Sequence, residues 1–269
     1  MTTRSDRENH APMTPLSICL VTGEFPPMQG GVGDYTRELA RAYTRMGHAV
    51  AVVTSVKGTW SAPGINVFPV VKVWDYGCWG QIQRACSETK AGVLHIQYQT
   101  AAYGMHPAIN LLPLRLRLRS DRPRTVITYH DLRVPYLFPK AGPLRRWITE
   151  GPARWYDTAI VTNVEDCTQL SAAGLPFHLI PIGSNISTAL PPAYDRAAWR
   201  ARLGIGPQET LLCYFGFLNE SKGGETLMRA LRDLVDQNRS VKLLMVGGQV
   251  GDSDPTNVAY LARIKKLIE

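Results

Sequence analysis

Three glycine-bearing turns could hold an anion, because each follows a run that reads as a strand. Gly30-Gly31-Val32-Gly33 opens a helix-like pattern. Glycines there let backbone N–H groups approach an anion, and the start of a helix adds its partial positive charge. Gly216-Phe217-Leu218-Asn219-Glu220-Ser221-Lys222-Gly223-Gly224 lies between a strand and a helix. Lys222 sits at the helix entry, where an ammonium can meet a diphosphate. Gly247-Gly248 follows the next strand. Each turn alone also fits a plain structural loop. None is a dinucleotide fingerprint, since G-G-V-G-D-Y-T lacks the G-x-G-x-x-G spacing, and none is a Walker A loop. Two such loops in two units separated by a linker suggest a phosphate-bearing ligand.

Metal chemistry is not expected. Asp252-Ser253-Asp254 imitates a D-x-D metal motif, but it follows Gly251 and precedes Pro255 and reads as a helix-start loop. The same stretch fails as a calcium loop, with Asn257 where glycine is required and Arg263 at position twelve. Cys19, Cys78, Cys86, Cys167 and Cys213 contain no C-x-x-C pair and build no disulfide framework. Reduced thiols and the absence of an apolar leader in the polar residues 1–14 lead to a cytoplasmic expectation. Residues 91–114 lack charges, yet His95, Gln97, Gln99, His106, Pro107, Asn110 and Pro113 make them too polar for a membrane span.

The elements that must position these residues alternate along nearly the whole chain of 269 residues. Apolar residues are 45% and charged residues 19%, which excludes wholesale disorder and suits one large or two moderate domains. Strands are expected at 16–22, 49–54, 67–73, 93–97, 125–129, 158–162 and 178–182. Helices are expected at 79–90, 108–119, 144–156 and 164–173. The first helix should face Val32, Tyr35, Leu39, Tyr43 and Met46 inward and end at Gly47. The pattern is β-α-β, so a parallel sheet with right-handed crossovers follows. Residues 184–196 turn to Ser, Pro and small residues, as an interdomain linker does. After a short helix near 196–203, strands at 210–215 and 241–246 alternate with helices at 225–235 and 256–268. Only 62 residues remain from 208 onward, too few for a complete doubly wound domain. Either the chain is a fragment of a longer protein, or these elements extend the first sheet.

Lys and Arg number 30 against 22 Asp and Glu, a net +8. Nearly all of it lies between Arg115 and Arg154, where nine Arg and one Lys face Asp121, Asp131 and Glu150. Such a window suits a polyanion or a solvated face equally. No nucleic-acid recognition motif accompanies it.

Longer motifs carry a resemblance. GEFPPMQGGVGDYTRELARAYTRMGHAVAVVT resembles the opening of the family 4 (group 1) glycosyltransferases, including Gly47-His48-Ala49-Val50 at a strand entry. TYHD at 128–131, IPIGSNI at 180–186 and GFLNESKGGETLMRAL at 216–231 resemble later segments of the same family. The resemblance covers nearly all of 15–269.

It implies an α/β fold of GT-B type. A Rossmann-like acceptor-side domain would span 15–188, after a loose tail at 1–14. A linker region would span 189–207, and the beginning of a second Rossmann-like, nucleotide-sugar-side domain 208–269. It further implies sugar transfer from a nucleotide sugar in the cleft between the domains, with retention and without a metal or resident cofactor. Gly30 and Gly31 would lie under the donor diphosphate, with Gly216, Lys222 and Gly223 also on the donor. Lys222 would neutralise the leaving phosphate. His130 would be the catalytic-site residue beside the donor sugar, contacting a hydroxyl. Glu24 and Tyr35 are acceptor-side candidates. The acceptor is left open, a lipid-linked one being an option. The basic window, with Tyr136, Trp147 and Trp155 interleaved, could rest on an anionic membrane.

Two departures stand out. Phe217 occupies the place where the family usually has an Arg on the phosphate, and the family's paired glutamates have no counterpart before Glu269. A truncated, non-catalytic binding module is therefore the alternative.

Overall fold

A computed structural model of the chain describes residues 14–132, 142–186, 189–216, 218, 220–247 and 256–268. The tail to residue 13, Tyr136, Phe217, Gly248 and the Asp252-Ser253-Asp254 stretch lie outside the described residues. Two units are present, with their main boundary between Ile182 and Gly183.

The first unit begins with β1 (Ser17–Thr22), α1 (Gly31–Arg45) and β2 (Ala49–Ser55). β1 is apolar along most of its length because both faces are covered, and its residues are buried from Ile18 onward. Each such Val, Leu or Ile contributes about 1.5–3 kcal/mol through burial. Gly47 ends α1 as expected. It sits at φ +86°, Gly47 N–H donates to Thr44 O at 3.0 Å, and His48 N–H donates to Tyr43 O at 3.1 Å. These are the two bonds of a Schellman cap. The inward face differs from the expected stripe. Val32, Gly33, Thr36 and Ala40 are buried, Tyr35, Leu39 and Tyr43 flank them half-buried, and Met46 is exposed beyond the helix end.

Next come β3 (Ile65–Val71), α2 (Cys78–Glu88), β4 (Val93–Gln99) and α3 (Ala108–Leu116). β3 starts and ends two residues earlier than the apolar pattern suggests. Then follow β5 (Arg124–Asp131), α4 (Gly142–Glu150), α5 (Pro152–Trp155), β6 (Thr158–Val161), α6 (Val164–Ala172) and β7 (His178–Leu179). α3 stops at Leu116, short of the expected 119, and the strand expected over 178–182 pairs only at its first two residues.

The helix expected over 144–156 is two helices, and the chemistry of Pro152 explains the break. Proline has no N–H for the carbonyl four residues earlier. That carbonyl, Ile148 O, instead accepts from Asn110 Nδ2 at 3.0 Å. The same device recurs inside α3, where Pro113 frees Ile109 O and the Tyr156 hydroxyl donates to it at 2.8 Å.

All seven strands are parallel, in the order β3-β2-β1-β4-β5-β6-β7. The chain steps outward from β1 to β3, then crosses by α2 to β4 on the other side of β1. The order therefore reverses between β1 and β4. In open α/β sheets that reversal leaves a crevice outside the C-terminal strand ends, where ligands bind. One core packs Leu94, Ile96, Ile127 and Tyr129 against α2, α3 and α5; a second packs Leu20, Val50 and Val52 with Ala40 of α1.

The second unit holds α7 (Arg196–Arg202), β8 (Thr210–Phe215), α8 (Gly224–Asp236), β9 (Val241–Val246) and α9 (Thr256–Ile268). β8 and β9 pair in parallel as a sheet of their own, so they do not extend the first sheet. Leu218, Met228, Tyr260 and Ile264 form its small core. Among the described residues, no helix is long and apolar enough to cross a membrane.

Candidate functional site

The C-terminal edge at the β1/β4 reversal carries three of the sequence-derived candidates, Glu24, Tyr35 and His130. Gly23 follows β1 and has no room for a side chain: a Cβ there would lie 2.2 Å from Ala102 O. That contact seats the loop after β1 on the turn after β4. Glu24 is buried, and its carbonyl accepts from Thr22 Oγ1 at 2.7 Å. Gly33 performs a packing role rather than facing a ligand. Its Cβ would lie 3.0 Å from Glu24 O, so glycine lets the first turn of α1 rest on this loop. Gly31 opens α1 with nothing within 4 Å of a would-be Cβ, and Gly30 before it is buried. The first N–H groups of a helix have no intrahelical partner, so this end can receive an anion.

His130 stands near the end of β5 with its ring edge-on to Tyr35 of α1, centroids 4.8 Å apart. Its Nε2 lies 3.0 Å from Gln97 Oε1 on β4. Burial pushes the His130 pKa down to about 4, so the ring is neutral at pH 7. Burial also raises the Tyr35 hydroxyl above its ordinary value. One layer below, His95 Nε2 pairs with Thr128 Oγ1 at 2.7 Å; burial first, then the neighbouring His130, lowers the His95 pKa to about 3. Tyr103 braces this edge from the other face. Its buried hydroxyl lies 3.0 Å from Val21 O and 2.9 Å from Gln97 O, the ends of the two strands at the reversal. A neutral histidine, a phenol and a carboxamide can hydrogen-bond sugar or polyol hydroxyls, and the nearby helix start can take negative charge.

Gln97 was missed from the sequence. The signal was the alternation in VLHIQYQ: His95 and Gln97 are polar on one face of a strand that is otherwise buried. Gln97 pairs in register with Thr128, two residues before His130. Its Nε2 is buried without a partner among the described residues. A buried donor left so costs about 1–3 kcal/mol.

The second unit presents its own anion-ready edge. Gly216 ends β8 at φ +131° and Gly247 ends β9 at φ +145°. A Cβ on Gly247 would lie 2.4 Å from Gly216 O, so the two loop starts touch through backbone alone. Lys222 closes a short 3-10 turn, is exposed, and pairs with no carboxylate among the described residues. Gly223 follows in the left-handed region at φ +70° and caps the start of α8. The carboxylates nearby are already engaged: Arg263 of α9 pairs with Glu220 at 3.1 Å and also with Glu225. That leaves Lys222 as the cation of this loop without an ion pair among the described residues, while the Glu225 N–H in the first turn of α8 donates to the Tyr260 hydroxyl at 3.1 Å. Glu24, Tyr35 and His130 thus belong to the first unit, and Gly216, Lys222 and Gly223 to the second, with which the short segment Met28–Gly31 holding Gly30 and Gly31 is also grouped. Among the described residues, no group of His, Cys, Asp or Glu could hold a metal ion.

The comparisons with known proteins decide the family. A glycosyl transferase 4-like domain matches residues 30–183, more than half of the chain. The chain belongs to this glycosyltransferase family. Among relatives of the family, a D-inositol 3-phosphate glycosyltransferase from Xylanimonas cellulosilytica is 28% identical over 264 residues, covering 86% of this chain and 61% of that protein. A GDP-mannose-dependent alpha-(1-6)-phosphatidylinositol monomannoside mannosyltransferase from Mycobacterium tuberculosis is 26% identical, covering 93% and 63%. A glycosyltransferase structure from Rickettsia africae matches with TM-score 0.63 and 15% identity, covering 95% of this chain and 65% of that one. The chain spans about three fifths of the length of these curated relatives. The fold is the GT-B type of α/β glycosyltransferases.

Proposed function

We propose that this glycosyltransferase family member moves a hexose from a nucleotide sugar to a hydroxyl of an acceptor that carries an inositol phosphate. The observation that carries the reading is the neutral His130, held by Gln97 and Tyr35 at the strand-order reversal of a glycosyl transferase 4-like domain. The inositol-phosphate class is supported by the names of the two relatives above, one of which also names GDP-mannose.

In this reading the Lys222–Gly223 loop binds the donor diphosphate. As the anomeric C–O bond to phosphate breaks, the Lys222 ammonium and the α8 start stabilise the negative charge left on the phosphate. The acceptor oxygen forms the new bond to the anomeric carbon, and its proton leaves to the departing phosphate. His130 orients a sugar hydroxyl, and Glu24 and Tyr35 serve the acceptor. The reaction proceeds with retention and needs no metal. Gly30, Gly31 and Gly216 admit the phosphates without a side chain in the way.

An acceptor on a lipid fits a further feature of the first unit. Leu118, just after α3, and Leu144 and Trp147 of α4 are exposed, as are Arg115, Arg146 and Arg154 on the neighbouring helices α3, α4 and α5. We read this face as a peripheral contact with anionic membrane, consistent with a protein working at the cytoplasmic surface.

The test incubates the chain with GDP-mannose or a UDP-hexose, and with inositol 1-phosphate or phosphatidylinositol, in EDTA. Mass spectrometry should find the acceptor one hexose heavier, and the anomeric coupling of the product should report retention. Lys222→Ala should slow transfer by about 10²–10³-fold. Nucleotide binding without transfer from any donor would support the non-catalytic module instead.

A further inference from the structure

We infer that Gln97 is a positioning residue for His130: its carboxamide oxygen fixes the imidazole as the Nε2–H tautomer and reserves the Nδ1 lone pair for a ligand hydroxyl. This rests on the reading that the edge takes a sugar or polyol hydroxyl. A carboxamide oxygen can only accept, so the nitrogen 3.0 Å from it must carry the hydrogen. The ring is neutral, so the other nitrogen is then an acceptor. Such a histidine takes a hydrogen bond from a hydroxyl and offers none to a phosphate oxygen at Nδ1. Gln97 would thereby decide which kind of ligand atom His130 accepts.

The support around Gln97 is rigid. The residue is fully buried, and Tyr103, also buried, reaches its backbone carbonyl at 2.9 Å. Its amide nitrogen has no partner among the described residues, so the contact with His130 is the polar contact that orients the carboxamide. The titratable groups facing this region come from several elements. Tyr35 lies on α1, His95 on β4, Asp131 next to His130 on β5, and Glu24 on the loop after β1. Burial is the cause that holds His130 low.

The experiment reads the tautomer directly. Histidine-¹⁵N-labelled protein is recorded by long-range ¹H–¹⁵N correlation at pH 7, with His130→Asn to assign the signal. The expected pattern has a protonated Nε2 and an unprotonated Nδ1. A protonated Nδ1 would overturn the inference, because Gln97 would then be presenting its NH₂.

Gln97→Glu supplies the second arm. A carboxylate at this position should raise the His130 pKa by about one to three units, read from its chemical-shift titration. An unchanged titration would also defeat the inference. In transfer assays, Gln97→Glu should gain an acid limb at the raised pKa and recover at higher pH, while the wild type stays flat above about pH 5. Loss at every pH would mark a structural role only. If Gln97→Glu does not fold, the wild-type tautomer alone decides. If the wild type transfers no sugar, the function reading fails while the tautomer result still stands.

Discussion

His95 and His130 form two storeys of one polar stripe on β4 and β5, and both are neutral because burial disfavours the imidazolium. Their folded pKa values, about 3 and about 4, lie below the ordinary value near 6.5. Between those limits the unfolded chain binds more protons than the folded one. Stability is therefore complete above about pH 6.5 and falls as pH drops toward 4, by at most about 1.4 kcal/mol per pH unit for each group. Thermal unfolding between pH 7 and 4.5 should show this fall. His95→Gln, which can keep a bond to Thr128, should flatten it, and an unaltered slope would contradict the assignment. The carboxylate of Asp157, held low chiefly by the Arg122 guanidinium, responds only in stronger acid and does not blur this window. At this scale His130 was legible in the sequence, because TYHD ends an apolar run. Gln97 was not, because its importance depends on a neighbour 33 residues away across the sheet. Gly33 shows the opposite failure: its type fitted an anion loop, but its missing side chain serves the packing of α1 on the loop after β1.

Among the elements, the helices α3, α4 and α5 carry the basic window that dominates the net charge. The structure reduces its free charge. Arg119 pairs with Asp121, Arg122 with Asp157, and Arg146 with Glu150, while Arg117 donates to Arg154 O and Trp155 O. Arg115 and Arg154 remain exposed, as do Leu118, Leu144 and Trp147, and Trp147 meets Trp155 edge-on with centroids 4.7 Å apart. Sedimentation with vesicles should show binding to phosphatidylglycerol-containing membranes, weakened by salt, and little to neutral phosphatidylcholine. Equal binding to both would remove the membrane reading. The strands were legible because a parallel sheet demands apolar runs, and α1 because Gly47 supplies its cap. The break between α4 and α5 was hidden, since Asn110 in a different helix satisfies the carbonyl that Pro152 releases. The strand runs alone left open whether β8 and β9 extend the first sheet, because runs do not state their partners; the family resemblance implied a second domain, and the two strands do pair as a sheet of their own.

For the whole molecule, the strand order supplies the reversal at which Tyr35, Gln97 and His130 meet, with Glu24 on the loop after β1, and the family assignment supplies the chemistry they would serve. Neither source suffices alone: a parallel sheet hosts many reactions, and the family match does not say which atoms face the substrate. The second unit adds Lys222 beside a glycine-capped helix start, a group suited to a leaving diphosphate. The measurement closest to the central claim is steady-state transfer by His130→Ala, with donor affinity measured in parallel. kcat is expected to fall about a hundredfold or more while the donor Kd changes by less than about threefold. Wild-type turnover in His130→Ala, or a loss confined to donor binding, would contradict that claim.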